Sequence, residues 1–159
     1  MIRMMTLTML ASASLVAACS KAAPPASYNT TLSTKEVMNR VINPAAVALW
    51  DNSGTIETLK GTTSKLPTTD DAWTAVENDA AIVAEGGNLM LLPGRVRKLD
   101  PKDEDWTKFT HQMIDLALAE KQAVAARDGD KMFNVGAKLY DDGCTACHQK
   151  YLIPFLPKT

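Results

Sequence analysis

The sequence predicts an all-α fold, an antiparallel up-down-up-down four-helix bundle. Four stretches carry apolar residues three and four positions apart, which is the spacing of a buried helix face. Capping residues precede these stretches, and no stretch alternates apolar and polar residues as a half-buried strand does. Four helices joined by loops bury their apolar faces most simply by packing side by side in a bundle.

The length and composition leave room for one domain. The chain has 159 residues, of which 46% are hydrophobic, and this suits a soluble domain with an ordinary core. We expect this domain to occupy residues 33–159. Residues 19–32 mix Pro, Ala, Ser and Thr without periodicity, so we expect them to form a flexible tether.

Residues 1–18 have the pattern of an export signal. Arg3 gives a charged start, and the apolar stretch at 4–18 is too short to span a bilayer. This stretch runs into Val-Ala-Ala-Cys, which resembles the bacterial lipobox. The resemblance implies a lipoprotein anchored through Cys19, and it implies outer-membrane sorting because Ser20 rather than Asp follows the cysteine. Plain secretion, with cleavage after Ala18, is the alternative.

The charge of the exported chain argues against nucleic acid as a partner. Removal of residues 1–18 takes away one charged side chain, that of Arg3, and leaves sixteen basic and eighteen acidic ones. No polybasic cluster flanks Cys19. We therefore expect lipid, rather than surface charge, to make the contact with the membrane.

The first helix is predicted to begin at Ser33. Ser33 and Glu36 fit a capping box, in which each side chain accepts a hydrogen bond from the other residue's backbone N–H group. Pro44 lacks a backbone donor and crowds the carbonyl group of Arg40, so we expect a kink there or a second start with Asn43 as the cap. The apolar face of this helix consists of Met38, Val41, Ile42, Ala45 and Leu49.

The second helix is predicted to follow a loop at residues 55–68. Thr69 caps it, and the two aspartates at 70–71 lie at the positive end of its dipole. Gly86 and Gly87 weaken this helix by about 1 kcal/mol each, a cost usually accepted where something bulky must approach the backbone. The apolar face consists of Trp73, Val76, Ala80, Val83, Gly87 and Leu91.

Two further helices complete the prediction. The third begins with Asp100 as its cap and Pro101 in its first turn. Its apolar face consists of Trp106, Phe109, Met113, Leu116, Ala117 and Val124. The fourth begins near residues 128–130 and ends at Pro154. One side of it carries Met132, Gly136, Leu139, Gly143, Cys147 and Tyr151.

The residues with distinctive chemistry lie in Cys-Thr-Ala-Cys-His at 144–148. On a helix the two sulfur atoms lie on neighbouring turns, and His148 follows on the adjacent face. This is the attachment pattern of haem c, in which both thiols add to vinyl groups of the haem and the imidazole binds the iron as proximal ligand. The sequence therefore predicts one covalent haem c on Cys144 and Cys147, with His148 on the iron. The export signal agrees, because the attachment machinery is periplasmic.

Three other interpretations compete for the same residues. A redox-active disulfide needs a helix N-terminus after a strand, where the dipole lowers the thiol pKa, whereas this pair lies near the C-terminal end of a helix. Zinc needs four ligands. Once Cys19 is lipidated, only the distant His111 is available as a ligand in addition to Cys144, Cys147 and His148. An inert disulfide gives no reason for the adjoining histidine.

A single Cys-x-x-Cys-His near the C-terminus of a four-helix bundle, followed by Tyr151, resembles the class II cytochromes c, the cytochrome c′ group. Class I cytochromes place the motif near the N-terminus and take a methionine from a later loop, which this chain does not have after residue 148. The resemblance covers residues 33–153 and is specific at the motif. It implies that an open sixth position on the iron binds small gases, whereas a methionine there gives a low-spin electron carrier.

Met38 is the predicted sixth ligand. In an up-down-up-down bundle the end of the fourth helix lies level with the start of the first, so Met38 and His148 lie at the same height. The resemblance also implies a ligand from the first helix. Met90 is level as well, and the alternative for Met38 is an ordinary core methionine. The candidates at the wrong height are His111, Met113 and Met132.

Four further side chains are expected near the haem. Trp106 and Phe109 fall at its height and could pack on the macrocycle, although core residues are the default at this spacing. Arg95 and Arg97 follow the second helix and could pair with the haem propionates, with solvated loop arginines as the alternative. His111 lies off the apolar face and is expected to be solvated.

These features predict a membrane-anchored monohaem cytochrome c. It passes single electrons between periplasmic or membrane redox proteins and is not an enzyme. The first alternative is a five-coordinate haem protein that binds NO or CO, and the second is a haem-free thiol-disulfide lipoprotein. Some members of the class form dimers, and the sequence leaves a homodimer open.

Overall fold

The computed structural model describes residues 27–157, which are mostly helical. Helix α1 consists of α-helical Thr34–Val37, π-helical Met38–Ile42 and α-helical Asn43–Asp51. Helix α2 spans Asp70–Met90, and α3 spans Asp105–Ala125. Helix α4 consists of α-helical Gly129–Lys138, π-helical Leu139–Thr145 and α-helical Ala146–Tyr151, and a 3₁₀ turn at Ile153–Phe155 follows it. None of the helices within 27–157 is both long enough and apolar enough to cross a membrane.

Three predicted helix starts are confirmed. At the start of α1 the Ser33 hydroxyl accepts a hydrogen bond from the Glu36 N–H group, and the Glu36 carboxylate accepts one from the Ser33 N–H group at 2.9 Å. Thr69 caps α2 and Asp128 caps α4, and each accepts a hydrogen bond from the backbone N–H group three residues further on. These side chains satisfy N–H groups that lack a partner within the helix.

Helix α1 does not restart at Asn43, so that alternative is wrong. Asn43 has helical backbone angles, and its N–H group donates to the carbonyl group of Met38, five residues back. The chain therefore passes through a widened turn immediately before Pro44. Such a turn accommodates the proline, which has no donor and whose ring would crowd the carbonyl group of Arg40 in a regular α-helix.

Helix α3 begins at Asp105 with Glu104 in the cap position, four residues after the predicted cap at Asp100. The Asp103 N–H group donates to the Asp100 carbonyl at 3.1 Å, and the Lys102 N–H group donates to the Asp100 carboxylate at 2.8 Å. Residues 100–103 therefore form a turn with Pro101 in its second position. Asp followed by Pro suits the first two positions of such a turn as well as it suits a helix start.

The prediction of an all-α fold misses one β-hairpin. Strands β1 (Thr55–Thr58) and β2 (Gly61–Ser64) pair antiparallel in the segment predicted to be a loop. All eight strand residues are exposed, so no alternation of apolar and polar residues could reveal them. Their β-branched threonines and isoleucine suit strands. Residues 59–60 connect the strands, and Gly61, the next residue, has a positive φ of 123°.

Helices α2 and α3 pack against each other in opposite directions. Arg127 pairs with Asp70, Lys121 pairs with Glu77, and the Trp106 indole N–H group donates to the Met90 carbonyl at 3.1 Å. The residue numbers rise along one helix as they fall along the other. The core between the helices includes Val37, Ile42, Leu49, Val76, Val83, Met90, Met113, Val124, Met132 and Leu139.

The predicted close approach at Gly86 and Gly87 is confirmed. A Cβ atom on Gly86 would lie 2.4 Å from Cγ1 of Ile42 on α1, and one on Gly87 would lie 2.4 Å from Cγ1 of Ile114 on α3. Both distances are far below van der Waals contact, so the two glycines let α2 pack closely against its neighbours.

Candidate functional site

An apolar cavity of about 320 Å³ lies between α1, α3 and the C-terminal part of α4. Cavities of this size, with mostly apolar walls and few polar groups, are typical of ligand sites. Both π-helical segments contribute to its wall. The lining residues are Met38, Ile42, Asn43, Ala46, Met90, Trp106, Phe109, Thr110, Met113, Tyr140, Gly143, Cys144, Thr145, Cys147, His148, Leu152 and Ile153.

The structure brings Cys144, Cys147 and His148 to this cavity together with Met38. Met38 belongs to α1 and the other three belong to α4, so only the tertiary fold brings all four to the same cavity. Cys144 and Cys147 are both free thiols. Burial raises the pKa of each thiol to about 11, with a contribution from Cys147 in the case of Cys144.

The protonation states decide what these groups can do. Thiols with a pKa near 11 are almost wholly protonated at neutral pH, and thiol-disulfide exchange needs the thiolate. Burial lowers the pKa of His148, because the charged imidazolium loses hydration. The imidazole is therefore held in its neutral form, which keeps the lone pair that binds a metal.

Three methionines line the cavity. Met38 and Met90 were both expected at this height. Met113 was expected too far up α3, and that prediction is wrong, because Met113 also lines the cavity. A Cβ atom on Gly143 would lie 3.2 Å from Cα of Met113, so Met113 is level with the residue just before Cys144. Met132 is fully buried but does not line the cavity.

The predicted aromatic residues are in place. Trp106 and Phe109 both line the cavity. The Trp106 ring meets the Tyr151 ring edge to face, with centroids 5.2 Å apart, and its indole N–H group is satisfied by the Met90 carbonyl. The one hydrogen-bond donor of the Trp106 side chain is thus satisfied by the backbone, and the ring contributes apolar surface to the cavity wall. His111 is exposed, as expected.

The two arginines do not line the cavity. Arg95 is buried, and its guanidinium donates to the carbonyl groups of Leu89 and Leu32, both at 3.1 Å. Arg97 donates to the Tyr151 carbonyl at 3.3 Å. The Arg95 guanidinium therefore holds the start of α1 against the end of α2, and its contact with a haem propionate stays a prediction.

A charged cluster fixes the end of α4 beside the cavity. The buried Asp103 carboxylate accepts hydrogen bonds from the Tyr151 hydroxyl and the Lys150 ammonium group, both at 2.7 Å, and from the Asp105 and Leu99 N–H groups. These donors, with the Lys150 bond the largest contribution, hold the pKa of Asp103 well below its usual range. Burial and the Asp103 carboxylate raise the pKa of Tyr151 to about 12.

Sequence reasoning noted Tyr151 but missed its partner Asp103. No spacing rule links the two, because forty-eight residues separate them. It also missed two polar residues of the cavity wall, Thr110 and Tyr140. The sequence does hold a signal for Thr110, because it lies four residues after Trp106 and three before Met113 and so falls on the inner face of α3.

A second buried carboxyl group lies deeper in the bundle. Glu120 is fully buried, and neither of its oxygen atoms has a hydrogen-bond partner. Its neighbours include Trp50 and Gly136, which meet on the same side of α4. Burial without a partner raises the pKa of Glu120 to about 7. The sequence indicates this burial, because Glu120 continues the helical spacing of the apolar residues Met113, Ala117 and Val124 on the inner face of α3.

Two predictions concern metal and lipid. Within 27–157 no group of three or more His, Cys, Asp or Glu side chains is arranged to hold a metal ion. Cys19 and the whole of residues 1–18 lie outside the described residues.

Comparison with known proteins finds no match, whether to family models, to curated proteins or to solved structures.

Proposed function

We propose that this protein is a lipid-anchored monohaem cytochrome c of class II type, which passes single electrons between redox partners at the periplasmic side of an envelope. Its haem would be attached to Cys144 and Cys147, and His148 would bind the haem iron. The four helices would form an antiparallel up-down-up-down bundle, which the opposite directions of α2 and α3 support.

One observation carries the proposal. Two free thiols, a neutral imidazole and a thioether, those of Cys144, Cys147, His148 and Met38, line one apolar cavity. These are the groups that covalent haem with two axial ligands needs. An ordinary core would place apolar side chains here, and a thiol-exchange site would lower the thiol pKa rather than raise it.

The residues of the cavity would set the chemistry of the bound group, which supplies the Fe(III)/Fe(II) couple. Neutral His148 offers its lone pair, and the Met38 thioether favours the reduced state and so raises the potential. The apolar walls, among them Phe109 and Trp106, limit the access of water. If His148 and Met38 both bind the iron, no position on it would be left for a substrate, and the protein would act as a carrier.

Visible spectroscopy and mass spectrometry test attachment. The full chain, expressed with the haem-attachment machinery, should be coloured and should keep its haem in acidified organic solvent, because two thioether bonds hold it. The Cys144→Ala/Cys147→Ala double variant should release the haem, and the bare mass of the wild-type polypeptide would contradict the proposal. A colourless wild-type protein would instead favour the haem-free thiol alternative.

Carbon monoxide tests the sixth position. The reduced wild-type protein should resist carbon monoxide, and the Met38→Leu variant should bind it rapidly with a shift of the Soret band. Met113→Leu is the matched control, because Met113 lines the same cavity and the change nearly conserves volume. Rapid binding by the wild type would favour the gas-binding alternative, and a response of Met113→Leu alone would move the ligand to Met113.

A further inference from the structure

Exposed apolar side chains gather where the chain enters α1 and leaves α4. Leu32, Leu152, Ile153, Phe155 and Leu156 are each between 44% and 56% exposed, and we refer to them as the terminal apolar face. Leu152 and Ile153 also line the cavity, so this face forms part of its rim. Exposed apolar side chains concentrated at one end of a domain mark an interaction surface more often than scattered single residues do.

Two arginines of one loop hold the face together. Arg95 donates to the Leu32 carbonyl at 3.1 Å. Arg97 donates to the Tyr151 carbonyl at 3.3 Å, and its guanidinium lies 4.4 Å from the centre of the Phe155 ring. The two termini of the bundle are therefore fixed side by side by neighbouring residues.

The covalent chain limits how far this face can be from an anchor at Cys19. Leu32 lies thirteen positions after Cys19, which is at most about 45 Å of fully extended chain. Helix α2 alone is about 30 Å long, so the opposite end of the bundle lies that much further away. Acyl chains at Cys19 would therefore keep the start of α1, and with it the terminal apolar face, within reach of the bilayer.

The chemistry of the face fits a lipid surface. Apolar side chains enter the boundary between headgroups and acyl chains, and basic side chains at the edge pair with phosphate groups. Arg97, whose guanidinium lies over the Phe155 ring, and the next residue, Lys98, are both exposed. We propose that the terminal apolar face docks on the lipid bilayer, so that the rim of the cavity lies against the membrane. The proposal rests on the lipid anchor of the proposed function.

Nitroxide accessibility tests the docking. A nitroxide-bearing unnatural amino acid replaces Phe155 in one sample and Phe133 in another, which leaves every cysteine untouched. Phe133 is the matched control, because its ring is 59% exposed but lies beside Gly54, next to the hairpin. The acylated full-length chain is reconstituted in vesicles of phosphatidylethanolamine and phosphatidylglycerol. We expect the ratio of oxygen to nickel-chelate accessibility to be several-fold higher at 155 than at 133.

Equal ratios at the two positions, in protein that floats with the vesicles, would overturn the docking. A label at 155 that neither reagent reaches would overturn it too, in favour of a second copy of the chain on this face. Flotation reports the anchor and the visible spectrum reports the haem, both in the same sample. A colourless protein with its 155 label in the bilayer would refute the electron carrier and leave the docking intact, whereas protein that does not float would refute anchor and docking together.

Discussion

The cavity end of the bundle and its interior around Glu120 treat a buried carboxyl group in opposite ways. At the cavity end, Asp103 is surrounded by donors from Lys150 and Tyr151 and stays ionised. In the interior, Glu120 has no partner and its pKa rises to about 7. Both residues are at most 5% exposed. At Asp103 the hydrogen-bond donors therefore outweigh the effect of burial on the pKa, whereas at Glu120 no donor offsets it.

Removal of the Asp103 carboxylate should have the largest effect on stability. Asp103→Ala leaves the Tyr151 hydroxyl buried without a partner and frees the end of α4 beside the cavity. We expect the free energy of unfolding in urea at pH 7 to fall more than in any other variant named below. Glu104→Ala is the control, because Glu104 is exposed and its side chain makes no capping bond. Equal losses in the two variants would contradict the role of the cluster.

The same variant should change the response to acid. The pKa of Asp103 is lowered in the folded state, so its contribution to stability is complete above its unfolded value of 3.8 and is lost as pH falls through the folded pKa. The wild type should therefore lose stability in strong acid, and Asp103→Ala should lose less there.

Glu120 should act in the opposite direction. Its pKa rises from 4.5 in the unfolded chain to about 7 in the fold, so stability is intact below pH 4.5 and falls as pH rises towards 7. Glu120→Gln removes the charge, and at pH 8 it should be more stable than the wild type by about 3 kcal/mol, an order-of-magnitude figure from the size of this shift. At pH 4 the two proteins should be nearly equal, as measured by urea unfolding.

An exposed acid on the same helix provides the comparison. Asp115→Asn is the matched control, because Asp115 is exposed in α3 and its substitution should change the free energy of unfolding by less than about 0.5 kcal/mol. Parallel stability profiles for the wild type and Glu120→Gln between pH 4 and pH 8 would show that Glu120 is not held neutral by burial.

Loss of one hydroxyl group should measure the cluster more finely. Tyr151→Phe removes the hydrogen bond to the Asp103 carboxylate and keeps the ring against Trp106. Hydrogen bonds to charged groups contribute about 1.5–3 kcal/mol, so we expect a loss of about 2 kcal/mol in the free energy of unfolding. Tyr140→Phe should cost less than about 0.5 kcal/mol, since Tyr140 is 54% exposed. A loss in Tyr140→Phe that matches Tyr151→Phe would argue against a special bond to Asp103.

The smallest effect should come from a glycine beside Glu120. A Cβ atom on Gly136 would lie 3.6 Å or more from its neighbours, which is ordinary contact, so Gly136→Ala should stabilise the helix by about 0.5–1 kcal/mol. Gly86→Ala should have the opposite sign, because its Cβ would meet Ile42 at 2.4 Å. Thermal unfolding of both variants tests whether packing is looser around Glu120 than where α1 meets α2.

Local signals in the sequence predict much of the fold. The caps at Ser33 and Thr69 depend on neighbouring residues alone and occur as predicted, and the fourth helix begins within the predicted residues, with Asp128 as its cap. The hairpin has no such signal, because all its strand residues are exposed. The start of α3 was misplaced because Asp-Pro serves a turn and a helix equally well, and the tertiary contacts of Asp103 decide between them.

The candidate site was predictable where its residues adjoin in sequence. Cys144, Cys147 and His148 form one motif, and helix order was enough to predict Met38 at the same end of the bundle, where it lines the same cavity. Met113 was misjudged because height along a helix was estimated from the wrong helix start. The bonds of Arg95 and Asp103 depend on loops that converge from distant parts of the chain, and no periodicity encodes them.

The π-helical turn at Leu139–Thr145 determines which residues the site can use. The inward residues of α4 are 132, 136, 139 and 143, which are spaced alternately by four and three residues. An unbroken α-helix would continue this spacing at 146 and 150. The inward residues that follow are instead Cys147 and Tyr151. If the same residues were wound as α-helix throughout, everything after the turn would rotate by about 100° about the axis. The angular phase of the thiols and the imidazole is therefore fixed by how tightly the backbone is coiled one turn earlier.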